Sequence, residues 1–142
     1  MDLSDRATWR NLNAWAIEEF RKADGKPQGP WASKNVLLLT YIGHKSGETH
    51  TIPLVYFVVD SRMYVMAAKG GYTEDPLWLV SVRARPEVTL TIGTSGQRAT
   101  VRILDEPERS AIYEVIVDDD TRGAQALTER LFPVLELVGA NG

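Results

Sequence analysis

The chain's two histidines, His44 and His50, flank a single turn, Gly43-His44-Lys45-Ser46-Gly47, the densest grouping of reactive side chains in the sequence. Such a turn offers backbone N–H groups, an ammonium and a hydroxyl, which together can hold an anion. It is not a Walker-type phosphate loop, because that motif puts Gly directly before the Lys and another five residues before that one, where this chain has His44 and Leu39. Taken alone, a plain hairpin turn accounts for these residues better than an anion site. Two imidazoles can also bind a metal or act as a base, but Glu48 is the one carboxylate near them, which leaves a zinc set incomplete. No nucleophile elbow is present to build a Ser–His–Asp triad. The acids crowded into the C-terminal quarter suit a solvated helix rim better than paired glycosidase carboxylates. Lys69-Gly70-Gly71 is a second grouping: the glycines let backbone approach a ligand closely, and the Lys brings a point charge for phosphate or carboxylate. Trp78 follows it closely and could cover a flat ring, although core packing explains it more simply. With no nucleophile and no metal set, an enzyme built on these residues has to draw its chemistry from a cofactor.

Composition narrows the reading. The 142 residues contain no Cys, which excludes disulfides, thiolate metal sites and thiol catalysis. That length suits one domain, 1–142. Hydrophobic residues at 44% and charged residues at 25% are ordinary globular values and argue against long disorder. No apolar run reaches a spanning length, and Met-Asp-Leu-Ser-Asp lacks the basic start of a signal peptide, so a cytoplasmic protein is expected. Residues 1–102 carry 13 Lys or Arg against 10 Asp or Glu, whereas residues 103–142 carry 3 against 9. A mildly basic body suits an anionic small molecule, while the absence of a dense basic stripe argues against nucleic acid.

Periodicity supplies the elements that must hold these groups. Residues 5–23 read as a helix, with Trp9, Leu12, Ala16 and Phe20 at helical steps and Trp15 and Ile17 widening the stripe. Ser4 or Asp5 caps it, and Asp24-Gly25-Lys26-Pro27 with Gly29-Pro30 stops it, so residues 1–30 form a helix and linker. The stripe is expected to dock on the protein's own core, with peripheral contact at the inner face of the plasma membrane as its other use. A barrel core over 35–138 follows. Asn35 to Ile42 and Thr49 to Val59 read as antiparallel strands joined by the histidine-flanked turn, and Met63 to Ala68 as a third strand. Asp75 is placed to cap a short helix with Pro76 in its first turn, carrying Leu77, Trp78, Val80 and Val82. Val88 to Ile92 and Arg98 to Ile103 form a hairpin about Gly93-Thr94-Ser95-Gly96. A helix starts near Asp105 and runs to about Val117, the run Asp118-Asp119-Asp120-Thr121-Arg122-Gly123 interrupts it, a short helix spans 124–130, and Leu131 to Val138 is the last strand. Six strands and four helical segments without βαβ alternation predict an α+β, mainly β protein: a six-stranded antiparallel barrel with an N-terminal helix and flanking helices.

In order along the chain, Leu37-Leu38-Leu39-Thr40-Tyr41-Ile42-Gly43-His44-Lys45-Ser46-Gly47, Thr51-Ile52-Pro53-Leu54, Ala67-Ala68-Lys69-Gly70-Gly71, Pro76-Leu77-Trp78, Ala84-Arg85-Pro86-Glu87-Val88 and Arg130-Leu131-Phe132-Pro133-Val134 resemble the deazaflavin-dependent nitroreductase family. The resemblance implies an FMN-binding-like split β-barrel that binds reduced coenzyme F420 and passes its hydride to a small organic acceptor, a quinone, an activated alkene or a nitro compound. The alternatives kept beside it are an FMN-dependent oxidoreductase of the same fold and a non-catalytic barrel that binds a cofactor or lipid. Either a monomer or a homodimer is compatible with it.

Carried over by position, the resemblance puts His44, Lys45 and Ser46 against the coenzyme's phosphate and acidic tail. His50, Thr51, Ile52, Pro53, Leu54 and Val55 would line the deazaflavin. Met66, Ala67, Ala68, Lys69, Gly70 and Gly71 would form the opposite wall, and Leu77, Trp78, Leu79, Val80 and Ser81 would close over the ligand. The resemblance assigns no catalytic side chain and no metal, because the ring itself carries the hydride. Three departures stand out. His44 and His50 occupy positions that are commonly Arg in the family, so tail binding is expected to strengthen as pH falls. Val80-Ser81-Val82 replaces a usual His-Asn-Leu, which removes an amide. Asp118 to Ala124 replaces a tyrosine cluster that receives nitro substrates in some members, which makes nitroimidazole activation the part least expected here.

Overall fold

A computed structural model describes residues 6–26, 34–67 and 76–140. The two β-rich runs around the histidine turn form the first hairpin: β1 (Val36–Ile42) and β2 (Thr49–Val59) pair from Val36↔Val55 to Ile42↔Thr49. β3 (Arg62–Met66) returns along β2. β4 (Glu87–Ile92) and β5 (Ser95–Ile103) form the second hairpin, and its register, Ile92↔Ser95, makes the turn two residues, Gly93-Thr94, where four were expected. β6 (Val134–Val138) pairs with both β3 and β5, and β4 pairs with β1. The order β1-β2-β3-β6-β5-β4 therefore closes a six-stranded barrel with every pair antiparallel, the architecture expected from the pattern.

Four helices dress it: α1 (Arg6–Lys22), α2 (Leu77–Ala84), α3 (Glu108–Ile116) and α4 (Asp119–Gln125). The continuous apolar run of β1 is buried on both faces. Leu37 and Leu39 point into the barrel with Met63, Val65, Leu90, Val101, Leu135 and Leu137. Val36 and Leu38 point outward under Phe20 and Ile17 of α1. The stripe of α1 is thus turned onto the barrel, with Phe20 3% exposed, although Trp15 remains 41% exposed. The side chain of Trp9 and the residues Ser4, Asp5, Gly29 and Pro30 lie outside the described residues. After α1, Gly25 adopts φ +81 and comes so close to Gly93 that a Cβ there would sit 2.2 Å from its carbonyl oxygen, which ties the helix end to the β4–β5 turn. α3 covers a separate outer cluster of Tyr64, Leu104, Tyr113, Ile116 and Val134.

Several expected boundaries differ. The acidic run does not break the chain into loop and later helix; it begins α4. The Asp118 carboxylate accepts the Thr121 N–H at 2.8 Å as an N-cap, and Asp119 and Asp120 occupy the first turn, where the helix dipole favours negative charge. Residues beyond Gln125 leave the helix because its side chain takes over the backbone groups ahead: Nε2 donates to the Arg130 carbonyl (2.6 Å) and Oε1 accepts the Phe132 N–H (3.0 Å). The last strand consequently starts at Val134, not Leu131. β3 ends at Met66, although Ala67 still donates its N–H to the Pro133 carbonyl. The expected cap, Asp75, lies outside the described residues, and the N-cap position of α2 is Pro76 without a side-chain cap bond.

Candidate functional site

The β1–β2 turn, the first half of β2, the end of β3, α2, one face of α1 and the start of α4 enclose a cleft of about 750 Å3. This is the size of ordinary small-molecule sites. The turn contributes His44, Lys45 and Ser46, β2 contributes His50, Thr51, Ile52, Pro53, Leu54 and Val55, the end of β3 contributes Met66 and Ala67, and α2 contributes Leu77, Trp78 and Ser81. Fourteen of the residues expected at the site therefore line one cleft although they come from four stretches of sequence. Leu79 and Val80 do not line it. Leu79 is fully buried in the barrel core and Val80 is 38% exposed, because at about 100° per residue positions 77, 78 and 81 share one helix face while 79 and 80 are turned away from it. Ala68, Lys69, Gly70 and Gly71 lie outside the described residues.

The turn is held in place by specific bonds. Gly43 donates to the Glu48 carbonyl at 2.8 Å, Gly47 donates to the Gly43 carbonyl at 3.0 Å, and Ser46 Oγ accepts the Glu48 N–H at 3.1 Å. A Cβ at Gly43 would lie 2.8 Å from Ser46 Oγ and 3.1 Å from His50 Nε2, so a side chain there would push these two groups aside. The His50 ring stacks on Tyr41, its cross-strand partner, with centroids 5.4 Å apart. Burial pushes the Tyr41 phenol above its ordinary pKa, so it remains a neutral donor. Ser81, 3% exposed, ties the turn to α2: its Oγ accepts the His44 N–H at 3.1 Å and lies 2.8 Å from His44 Nδ1. Trp78 combines its two readings, packing into the barrel core while its surface still faces the cleft.

Sequence reasoning missed Asn13, Ala14 and Ile17 of α1, Lys34, Tyr41, Phe57, and Asp118 and Thr121 of α4, all of which line the cleft. Lys34 Nζ meets Asp118 Oδ2 at 3.4 Å across 84 residues of sequence, a pairing that no local spacing signals. Hydrogen bonding from Thr121, helped by the Lys34 ammonium, holds the Asp118 carboxyl below the ordinary carboxylate range. Among the described residues, no group of three metal-ligating side chains is close enough to hold an ion. A cationic, donor-rich turn next to an aliphatic strand and an indole fits a flat ring that carries an anionic tail.

A model of the F420H(2)-dependent quinone reductase family matches residues 13–138. Among solved structures, the chain is similar to an F420-H2 dependent reductase, FDR-A, with 29% identity over 72% of this chain and 93% of that one and a TM-score of 0.65. It is also similar to a domain-swapped dimer, with 26% identity over 87% of this chain and 97% of the other and a TM-score of 0.66. General stress protein 26 of Bacillus anthracis shares the fold at 10% identity, over 74% and 79% of the two chains, with a TM-score of 0.55.

Proposed function

The chain belongs to the F420H(2)-dependent quinone reductase family, a family of oxidoreductases, and from that membership we propose that the cleft holds reduced coenzyme F420 and that a quinone is reduced there. The observation that carries this reading is the gathering of the His44–Ser46 turn, the 50–55 segment and Trp78 around one cavity. When bound, the reduced deazaflavin supplies a hydride, which together with one proton from solvent converts a quinone to a hydroquinone.

The protein's own part is to bind, orient and exclude water. Lys45, which makes no ion pair among the described residues, and His44 hold the phosphate and carboxylates of the tail, with Ser46 beside them. Lys69, directly before two glycines in sequence, is the second cation that the resemblance assigns to the coenzyme. Ile52, Pro53, Leu54 and Val55 flank the ring with apolar surface, and Pro53 presents no backbone N–H of its own to the β1–β2 ladder. Trp78 would cover one ring face and keep water from it. Tyr41 stays protonated and stacks on His50. Because Asp118 and Thr121 open α4 where tyrosines receive nitro substrates in some relatives of the resemblance, quinones and enones rank above nitro compounds as acceptors.

The chain acts as a single domain over 1–142, and the similar domain-swapped dimer supports a homodimer. No helix among the described residues is long and apolar enough to cross a membrane. Fluorescence titration with F420 and separately with FMN tests the cofactor. Tight F420 binding followed by oxidation of the reduced form by quinones is the expected result, and preference for FMN would overturn the reading. Sedimentation at micromolar concentration tests the dimer, and a monomer throughout would count against it.

A further inference from the structure

We propose that Ser81 is a positioning residue that fixes the His44 imidazole in the tautomer with its proton on Nε2, so that His44 offers an N–H donor to an anionic or carbonyl oxygen in the cleft. The donation to a bound group rests on the cofactor reading above; the tautomer assignment does not. Ser81 lies on α2, 37 residues from His44, and its side chain is almost wholly buried. Its hydroxyl has one proton to give. The His44 backbone N–H already occupies one of its lone pairs at 3.1 Å. Of the hydrogen-bonding partners that the described residues offer Ser81, only His44 Nδ1, at 2.8 Å, can accept that proton.

If Nδ1 carried the hydrogen instead, Oγ would accept twice and its own proton would be stranded in a buried site, the arrangement that native structures avoid. Ser81 therefore donates to Nδ1, and a neutral His44 keeps its hydrogen on Nε2, the ring nitrogen left free for a ligand. The same hydroxyl grips the His44 backbone, so one side chain sets the position, the ring orientation and the tautomer together. Two of the positions at which this chain departs from the resembled family, a histidine at 44 and a serine at 81, are thus in direct contact.

Long-range 1H–15N correlation spectra of the ligand-free protein at pH 8 test the first half. An unprotonated Nδ1 and a protonated Nε2 on His44 are expected, with the distinction blurred in Ser81→Ala. That variant removes a hydroxyl from a helix interior, and circular dichroism should show it folded. A protonated Nδ1 in the unmodified protein, or identical spectra in Ser81→Ala, overturns the proposal whatever the cofactor does. For the second half, Ser81→Ala should weaken F420 binding at least threefold, with no further loss when it is added to His44→Ala. Tautomer loss with unchanged F420 affinity would overturn the donor role, whereas absence of F420 binding to the unmodified protein would instead refute the cofactor reading.

Discussion

An imidazole in place of a guanidinium exchanges a charge present at every pH for one that appears as the solution becomes acidic. His44 and His50 both line the cleft, and among the described residues the other ionisable groups that line it are Lys45, Lys34, Asp118 and the neutral Tyr41. A His44→Ala, His50→Ala double variant should bind F420 at least severalfold more weakly. An unchanged dissociation constant would contradict a role for these imidazoles in the cleft. Lys69→Ala should weaken F420 binding by at least ~1 kcal/mol, about fivefold, the scale of a charge-assisted contact; an unchanged constant would remove Lys69 from the site. The chemistry of the turn was legible at this scale, because Gly, His, Lys and Ser stand together in sequence. The Lys34–Asp118 pair was not, since its members meet only after the barrel brings α4 beside the chain entering β1.

Elements were readable in proportion to how far local rules decided them. β1 shows as an unbroken apolar run because both its faces are covered, Leu37 and Leu39 by the barrel interior and Val36 and Leu38 by α1. Leu39→Ala empties a fully buried position and should cost about 2–5 kcal/mol in denaturant unfolding, the range for large-to-small core changes. A cost under 1 kcal/mol would mean that the site collapses without leaving a cavity. α4 was misplaced because the three successive aspartates read as a breaker, when the first is a cap and the next two lie in the first turn. Asp118→Ala should therefore cost about 1 kcal/mol of stability and speed amide exchange at Thr121 and Arg122. Unaltered exchange there would contradict the capping role. Since the folded state depresses the Asp118 pKa, its contribution is fully present above the ordinary carboxylate range and disappears as pH falls through the depressed value.

At the scale of the molecule, pattern alone indicated six strands and a barrel but not their order. β6 sits between β3 and β5 because the 130–134 segment crosses to the end of β3, where Arg130 Nη1 donates to the Ala67 carbonyl at 3.0 Å and the Ala67 N–H reaches Pro133. No periodicity carries such long-range information. The acidic C-terminal quarter also resolves into specific work. Arg102 of β5 joins Glu136 of β6 and Glu108 of α3, with contacts of 2.6 to 3.0 Å. The Arg102 guanidinium holds the Glu108 carboxyl below its ordinary range, and hydrogen bonds from Ser110 do the same for Glu106. Depressed carboxylate pKa values add stability that is complete above the ordinary range and is lost as pH falls through the depressed values. The melting temperature should therefore hold from pH 7 to about 5 and fall below about pH 4. A melting temperature that stays flat to pH 3 would show that these pairs contribute nothing measurable.

We propose that this cleft binds reduced F420 and supports hydride transfer to quinones. It is tested most directly by mixing the purified protein with reduced F420 and a soluble quinone and following the return of oxidised deazaflavin fluorescence. Turnover well above the protein-free rate, reduced at least severalfold by Lys45→Ala and by Trp78→Ala in folded protein, is the predicted result. A rate equal to the protein-free control, with reduced F420 bound or unbound, would rule out this activity.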